Sequence, residues 1–255
     1  MNARPVAIVT GSASGVGAAT ALKLAQRGWN IVVNYSKSEH EALATRAACE
    51  AAGAGAIVVR GDVASDGDCR AVAAAAVEKW GRIDALVNNA GTSVFGEAAS
   101  WDKIDAEVFN RIMGVNTLGT FQMLRACLPQ LKSAKGSVVN VSSVAGALGI
   151  GSSVPYVASK GAVNSLTMHF ARQLAPDVRV NAVCPALITS PWFDKGLGEG
   201  GLDKAIAATE AHTPLRKPST PEDVAEAIVF LITGAPTITG ELIMIDGGTH
   251  LGTRR

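Results

Sequence analysis

No part of the 255-residue chain carries a dense run of charge of one sign. Its 23 Lys and Arg are offset by 22 Asp and Glu, leaving a formal net charge of +1. That balance argues against a nucleic-acid-binding surface; the one basic doublet of note, Arg254-Arg255, reads as a solvated tail. Cysteine is scarce: Cys49, Cys69, Cys127 and Cys184 are far apart and form no C-x-x-C. This argues against a disulfide framework or a thiolate metal site and points to a reducing interior. His40, His169, His212 and His250 are equally scattered, with no H-E-x-x-H pattern, so no metal is expected. No apolar stretch approaches the ~20 residues that a membrane helix needs. The N-terminal "MNARPVAIVTGS" enters an apolar run within five residues, too short for a signal sequence. The expectation is a soluble cytoplasmic protein.

What the chain does have is a recurring alternation. Apolar, β-branched runs at 5–11, 30–35, 56–62, 84–91, 136–143, 178–185 and 241–246 read as seven strands. Helices are predicted near 16–29, 38–53, 66–80, as two across 102–132, and near 154–175 and 221–233, with a Gly-rich excursion at 188–218. The strands are continuously apolar instead of alternating, as when both faces of a parallel sheet are covered. Strand, helix, strand repeated in this way predicts an α/β, Rossmann-type doubly wound parallel sheet. No Pro/Ser-rich linker interrupts it, so one domain over 1–255 is expected. Such sheets bind ligands beyond the carboxyl ends of their strands, which directs attention to the residues just after each run.

The first strand is followed by Thr10-Gly11-Ser12-Ala13-Ser14-Gly15-Val16-Gly17 and then a helix. Glycines here let the backbone approach a pyrophosphate, and the helix N-terminus offers free N–H groups and partial positive charge. The second strand ends Asn34-Tyr35-Ser36-Lys37 with no acid at its tip. An acid there would bond a ribose 2′-hydroxyl. Its absence, with the hydroxyl of Ser36 and the ammonium of Lys37, favours a 2′-phosphate and hence NADP(H) over NAD(H); Glu39 is a counter-signal. Asp62 and Val63, after the third strand, are placed to meet an adenine amine and ring.

The second half of the sequence holds Tyr156 and Lys160 in "VPYVASK". Spaced i, i+4, they share one helix face. An ammonium beside a phenol is expected to lower the tyrosine pKa and prepare it for proton exchange with an alcohol or carbonyl oxygen. Ser143, 13 residues earlier, supplies a hydroxyl for the same oxygen. Taken alone, a Tyr and a Lys one turn apart are usually surface residues.

Together, "TGSASGVG", "NNAG" (88–91), Asn116 in "GVNTLG", Ser143 and "YVASK" resemble the single-domain short-chain dehydrogenase/reductase family, over nearly the whole chain to "ITGELIMIDGG" (238–248). In pattern the chain is similar to 3-oxoacyl-acyl-carrier-protein reductases. The resemblance implies a catalytic tetrad. Tyr156 is the general acid/base, Ser143 positions the substrate oxygen, and Lys160 bonds the nicotinamide ribose and tunes Tyr156. Asn116 holds a water that links the lysine to solvent. It further implies cofactor contacts at Asn89, Ala90 and Gly91 on the ribose side and at Pro185, Ile188 and Thr189 on the carboxamide side, besides Tyr156 and Lys160 themselves. Two departures stand out. Ala186 replaces the glycine usual after Pro185, and Ser14 stands where NADP-preferring relatives often carry a basic residue.

The segment 188–218 is read as a substrate lid, with Gly196, Gly198, Gly200 and Gly201 in quick succession. Trp192 and Phe193 either line an apolar pocket or anchor this lid to the core. Val94, Phe95, Leu148 and Ile150 are further lining candidates, which favours a neutral or partly apolar small-molecule carbonyl compound. Lys132, Lys135, Arg216 and Lys217 are the candidate contacts for an acidic carrier, but Pro176-Asp177 is not a basic turn. An NADP(H)-dependent carbonyl/alcohol oxidoreductase is the leading reading. Its alternatives are an NAD-dependent alcohol dehydrogenase of the same family, an epimerase or dehydratase on the same scaffold, and a non-catalytic nucleotide-binding redox sensor. A homotetramer is implied by the resemblance alone.

Overall fold

The computed structural model describes residues 4–252; the Arg254-Arg255 doublet lies outside them. Seven strands form one parallel sheet in the order β3-β2-β1-β4-β5-β6-β7. They are β1 (Val6–Val9), β2 (Asn30–Tyr35), β3 (Ala56–Arg60), β4 (Ala85–Asn88), β5 (Ser137–Val141), β6 (Arg179–Pro185) and β7 (Leu242–Ile245). All seven fall inside the predicted runs. The chain order reverses between β1 and β4, and that switch point opens the crevice where ligands of such sheets bind.

The continuous apolar runs have a direct cause. Ala7 and Val9 of β1 pack into one core with α1 (Gly15–Gln26) and α10 (Pro221–Thr233). Val6 and Ile8 pack into a second core with α3 (Asp66–Trp80) and α5 (Gly119–Ala134). Successive side chains point to opposite faces, and both faces are covered, so every position is apolar and buried. α2 (Glu39–Ala51) lies beside α1 and β2. Helix ends follow local chemistry. Ser65 accepts from Asp68 N to start α3, and Gly81 in the left-handed conformation ends it. Thr220 and Asp223 form a reciprocal capping box on α10.

Two expectations need revision. The two helices across 102–132 are one continuous path: α4 (Ala106–Met113) passes through a π-turn at Gly114–Leu118 directly into α5. Gly119, which looks like a breaker, is there for closeness: a Cβ on it would lie 2.7 Å from a methyl of Val63. The Gly-rich excursion is largely helical, comprising α8 (Pro191–Leu197) and α9 (Gly201–His212). Its left-handed glycines are confined to the joint, at Gly198 (φ +73°) and Gly200 (φ +67°). A short α6 (Val144–Leu148), capped by Ser143, and the 21-residue α7 (Val154–Leu174) complete the chain's helices up to β6.

Candidate active site

The turn after β1 is held by buried polar side chains. Thr10 Oγ1 accepts from the N–H groups of Asn89 (2.9 Å) and Ala90 (3.0 Å). Asn89 Nδ2 donates to the carbonyls of Thr10 and Gly11 (2.9 and 3.0 Å). Its amide N–H groups therefore fix the turn, a positioning role. Asn34 was not singled out from the sequence. Its Oδ1 accepts from Gly11 N (3.2 Å), while its Nδ2 donates to Val59 O and Gly61 O (3.3 and 3.1 Å). The signal was available: a polar residue inside the apolar run "NIVVNY" that is 2 % exposed must be satisfied.

This turn fits a dinucleotide pyrophosphate. Gly11 has φ +59°, and a Cβ there would meet Ala90 Cα at 2.9 Å; one on Gly17 would meet Asn89 Nδ2 at 2.5 Å. Gly15 also has a positive φ (+56°), with nothing nearer its absent Cβ than Ser190 Cβ at 3.9 Å. Ser14 caps α1 without a side-chain hydrogen bond, and no acid stands in the first turn. The helix thus presents uncapped N–H groups and unopposed positive potential to an anion. Val16 is 8 % exposed and belongs to the core under the turn.

Around the adenosine side, Ser36 and Lys37 are exposed at the tip of β2. Tyr35 is buried in the core; burial and a hydrogen bond with Glu39 raise its pKa. Arg111 Nη1 pairs with Asp62 Oδ2 at 2.8 Å, and Asp62 Oδ1 accepts from Ala64 N. Although burial opposes it, backbone and Arg111 hydrogen bonds, with the nearby charges of Arg111 and Lys37, hold the Asp62 pKa below the usual carboxylate value. Arg111 was missed because nothing in the sequence ties α4 to the end of β3. Val63 is 6 % exposed and lies against Gly119, a fixed apolar wall.

The four tetrad residues converge where β4, β5 and α7 meet. Ser143 Oγ accepts from Ala145 N (3.1 Å) and lies 3.4 Å from Pro185 O, which ties it to the end of β6. The Tyr156 phenol lies near Ser143, whose hydroxyl works against the rise that burial causes in its pKa. Lys160, 5 % exposed, donates to Val141 O at 2.8 Å with its Nζ 5.6 Å from the centre of the Tyr156 ring. Gly91 leaves this space open, since a Cβ on it would lie 3.5 Å from Asn116 Oδ1 and 3.7 Å from Lys160 Nζ. Behind them Ser142 Oγ donates to Asn164 Oδ1 (2.6 Å), clamping α7 to β5.

Two expectations about this group change. The Tyr156 pKa is not lowered: burial pushes it up to about 12, and the Ser143 hydroxyl offsets only part of that. Burial likewise brings Lys160 down to about 8, a cost to the ammonium that the sequence argument omitted. Asn116 lies in the π-turn, 1 % exposed, with both amide N–H groups spent on Thr92 O (3.0 Å) and Ser159 Oγ (2.9 Å). Its Oδ1 accepts from Thr92 N (2.8 Å). Its side chain fixes the segment after "NNAG" to α7. Beyond β6, Ile188 is buried and bridges to Ser219, and Thr189 N donates to Ser219 O at 2.9 Å. Ala186 N donates to Ile245 O (3.1 Å), so the residue replacing glycine is held by β7.

A switch-point crevice with a glycine turn on one side and a Ser, Tyr and Lys on the other defines a nucleotide-dependent oxidoreductase class. The comparisons with known proteins agree. A family profile described as Enoyl-(Acyl carrier protein) reductase matches residues 11–250. The chain is 42% identical over 248 residues to the chain assigned as ketoacyl reductase 2 of the granaticin polyketide synthase of Streptomyces violaceoruber, covering 97% of this chain and 96% of that one. It is 37% identical over 253 residues to 2-(S)-hydroxypropyl-CoM dehydrogenase 3 of Xanthobacter autotrophicus, covering 95% of each. A crystal structure of a short-chain dehydrogenase/reductase from Burkholderia xenovorans superposes with a TM-score of 0.89 at 41% identity, over 99% of this chain and 100% of that one. The chain belongs to the short-chain dehydrogenase/reductase family of NAD(P)-binding oxidoreductases. Among the described residues no helix is long and apolar enough to cross a membrane, and no group of side chains is arranged to hold a metal ion.

Proposed function

We propose that the protein is an NADP(H)-dependent oxidoreductase that interconverts a neutral carbonyl compound and its secondary alcohol, with Tyr156 as general acid/base. The observation that carries this reading is the buried Lys160 Nζ, 5.6 Å from the centre of the Tyr156 ring and held by Val141 O at the end of β5, just before Ser143. Bound NADPH supplies the hydride for the carbonyl carbon. Ser143 holds the carbonyl oxygen and stabilises the charge that grows on it. Tyr156, whose pKa of about 12 keeps its proton on at neutral pH, donates that proton to the oxygen and leaves an alcohol. Lys160 holds positive charge beside the tyrosinate formed in this step. The preference for the 2′-phosphate is supported by Ser36 and Lys37, exposed at the tip of β2 with no acid at that tip. The granaticin ketoacyl reductase, a carbonyl reductase by its name, supports the reductive direction.

Separate titrations with NADPH and NADH test the cofactor half: NADPH is expected to bind at least tenfold tighter, about 1.4 kcal/mol. Equal affinities would remove the role given to Ser36 and Lys37. The chemical half is tested by Tyr156→Phe, which should keep its NADPH affinity and lose at least about a hundredfold in turnover across a ketone panel. Undiminished turnover sinks the mechanism.

A further inference from the structure

Four aromatic rings meet at the mouth of this site. Trp192, at the start of α8, has its ring centre 6.0 Å from that of Tyr156 at an interplanar angle of 37°. Phe95 meets Trp192 edge-on at 4.8 Å and 75°, and Phe193 meets it at 4.8 Å and 89°. Phe193 in turn packs on the core beneath α1 and α10. The ring of Phe95 lies directly on the backbone of Gly196: a Cβ there would come within 2.7 Å of two of its ring atoms and 2.9 Å of a third. Phe95 itself is carried by a restrained segment. Thr92 is bonded at both N and O by Asn116, and Ser93 Oγ lies 2.6 Å from Ser152 Oγ and 3.1 Å from Ser153 Oγ. That segment and α7 are thus joined on both sides of Tyr156.

We infer that Trp192, locked by Phe95 in the hollow over Gly196, is the specificity-determining wall of the carbonyl site, and that it selects neutral ketones whose carbonyl is attached to a flat, unsaturated or aromatic carbon framework. This rests on the carbonyl-reductase reading above and adds the substrate class. The wall is four rings with no formal charge. A flat π-system laid against Trp192 gains the edge and face contacts that aromatic pairs prefer, worth roughly three- to tenfold in affinity over a saturated ring of equal size. A carboxylate in the same place would lose its water and find no cation among these four side chains. Phe95 acts through Trp192 and is a positioning residue; Gly196 is required because only a hydrogen fits beneath the Phe95 ring.

The test uses the full chain saturated with NADP+, in which a ketone binds and cannot be reduced. Dissociation constants of methyl phenyl ketone and methyl cyclohexyl ketone are measured by calorimetry for the wild type, Trp192→Leu and Trp192→Phe. The wild type and Trp192→Phe should favour the phenyl ketone at least threefold, and Trp192→Leu should bind both within twofold. No phenyl preference in the wild type, or an undiminished one in Trp192→Leu, overturns the inference. Because binding is read without turnover, failure to reduce either ketone with NADPH would fall on the proposed function and leave this result standing. The lock is read separately by trypsin cleavage after Lys195 and Lys204 within α8 and α9. Gly196→Ala and Phe95→Ala should each be cut at least fivefold faster there than the wild type, and an unchanged rate refutes the Phe95–Gly196 lock.

Discussion

In the turn between β1 and α1, a Cβ added to Gly11 or Gly17 would meet other atoms at 2.9 or 2.5 Å. At the joint between α8 and α9, a Cβ added to Gly198 or Gly200 would meet nothing within 4 Å. The first region is a polar lattice sealed from solvent, with Thr10, Ser12 and Asn34 at 1 %, 0 % and 2 % exposure. The second has no buried residue in either helix. Glycine serves closeness in one place and backbone freedom in the other. The proposed cofactor turn is built by filling space, and the joint of the proposed lid by leaving it. Packed interiors shift little and transmit strain, whereas segments with few buried contacts open at low cost.

The comparison is broken most severely by the same substitution made on each side. Gly17→Ala drives a methyl into Asn89 and the Gly11 carbonyl, and the expected outcome is at least a hundredfold weaker NADPH binding, about 3 kcal/mol. A Gly17→Ala protein with wild-type affinity would show that the turn yields. Lys160→Met probes the buried boundary between the two regions. Burial lowers the Lys160 pKa from 10.5 to about 8, so the folded state releases this proton before the unfolded state does. Between pH 8 and 10.5 the unfolded chain binds more protons, and the wild type gains stability as pH rises through that window. The full shift corresponds to about 3 kcal/mol, from which the orphaned Val141 carbonyl takes back roughly 1–3. Lys160→Met should therefore be more stable than the wild type at pH 7 by on the order of 1 kcal/mol. That advantage should vanish by pH 10.5, as followed by urea denaturation at several pH values; a gap independent of pH counts against a charged, buried Lys160. The smallest effect on NADPH binding belongs to Gly200→Ala at the helix joint. The left-handed φ costs it about 1–2 kcal/mol of stability, and the expected NADPH affinity is unchanged.

The architecture was legible because its cause is local. A strand covered on both faces is apolar at every position, and seven such runs separated by helix-length stretches admit few arrangements. Tyr156, Lys160, Ser143 and the glycine turn could be found because their spacing carries the chemistry. What escaped was set by partners distant in the chain. Arg111 meets Asp62 across 49 positions, Asn116 is spent on Thr92 and Ser159, and Gly196 exists for Phe95 about a hundred residues earlier. The direction of the Tyr156 shift was misjudged for the same reason, since i, i+4 spacing reports the neighbouring charge and says nothing of the burial that outweighs it.

The π-turn at Gly114–Leu118 sets a constraint on inheritance. It accommodates one residue more than an α-helix of the same rise would hold, and each residue advances a helix by about 100°. Loss of a single residue there would let α4 run on as regular helix and rotate α5 by that angle. Gly119 would leave Val63, Gln122 would leave the Val63 carbonyl that it reaches at 2.8 Å, and the Val63 wall would lose its backing. Across descendants of this sequence, side chains on the outer face of the segment are free to drift while its residue count is not. An alignment gap here would mark a change of cofactor pocket more surely than any substitution beside it.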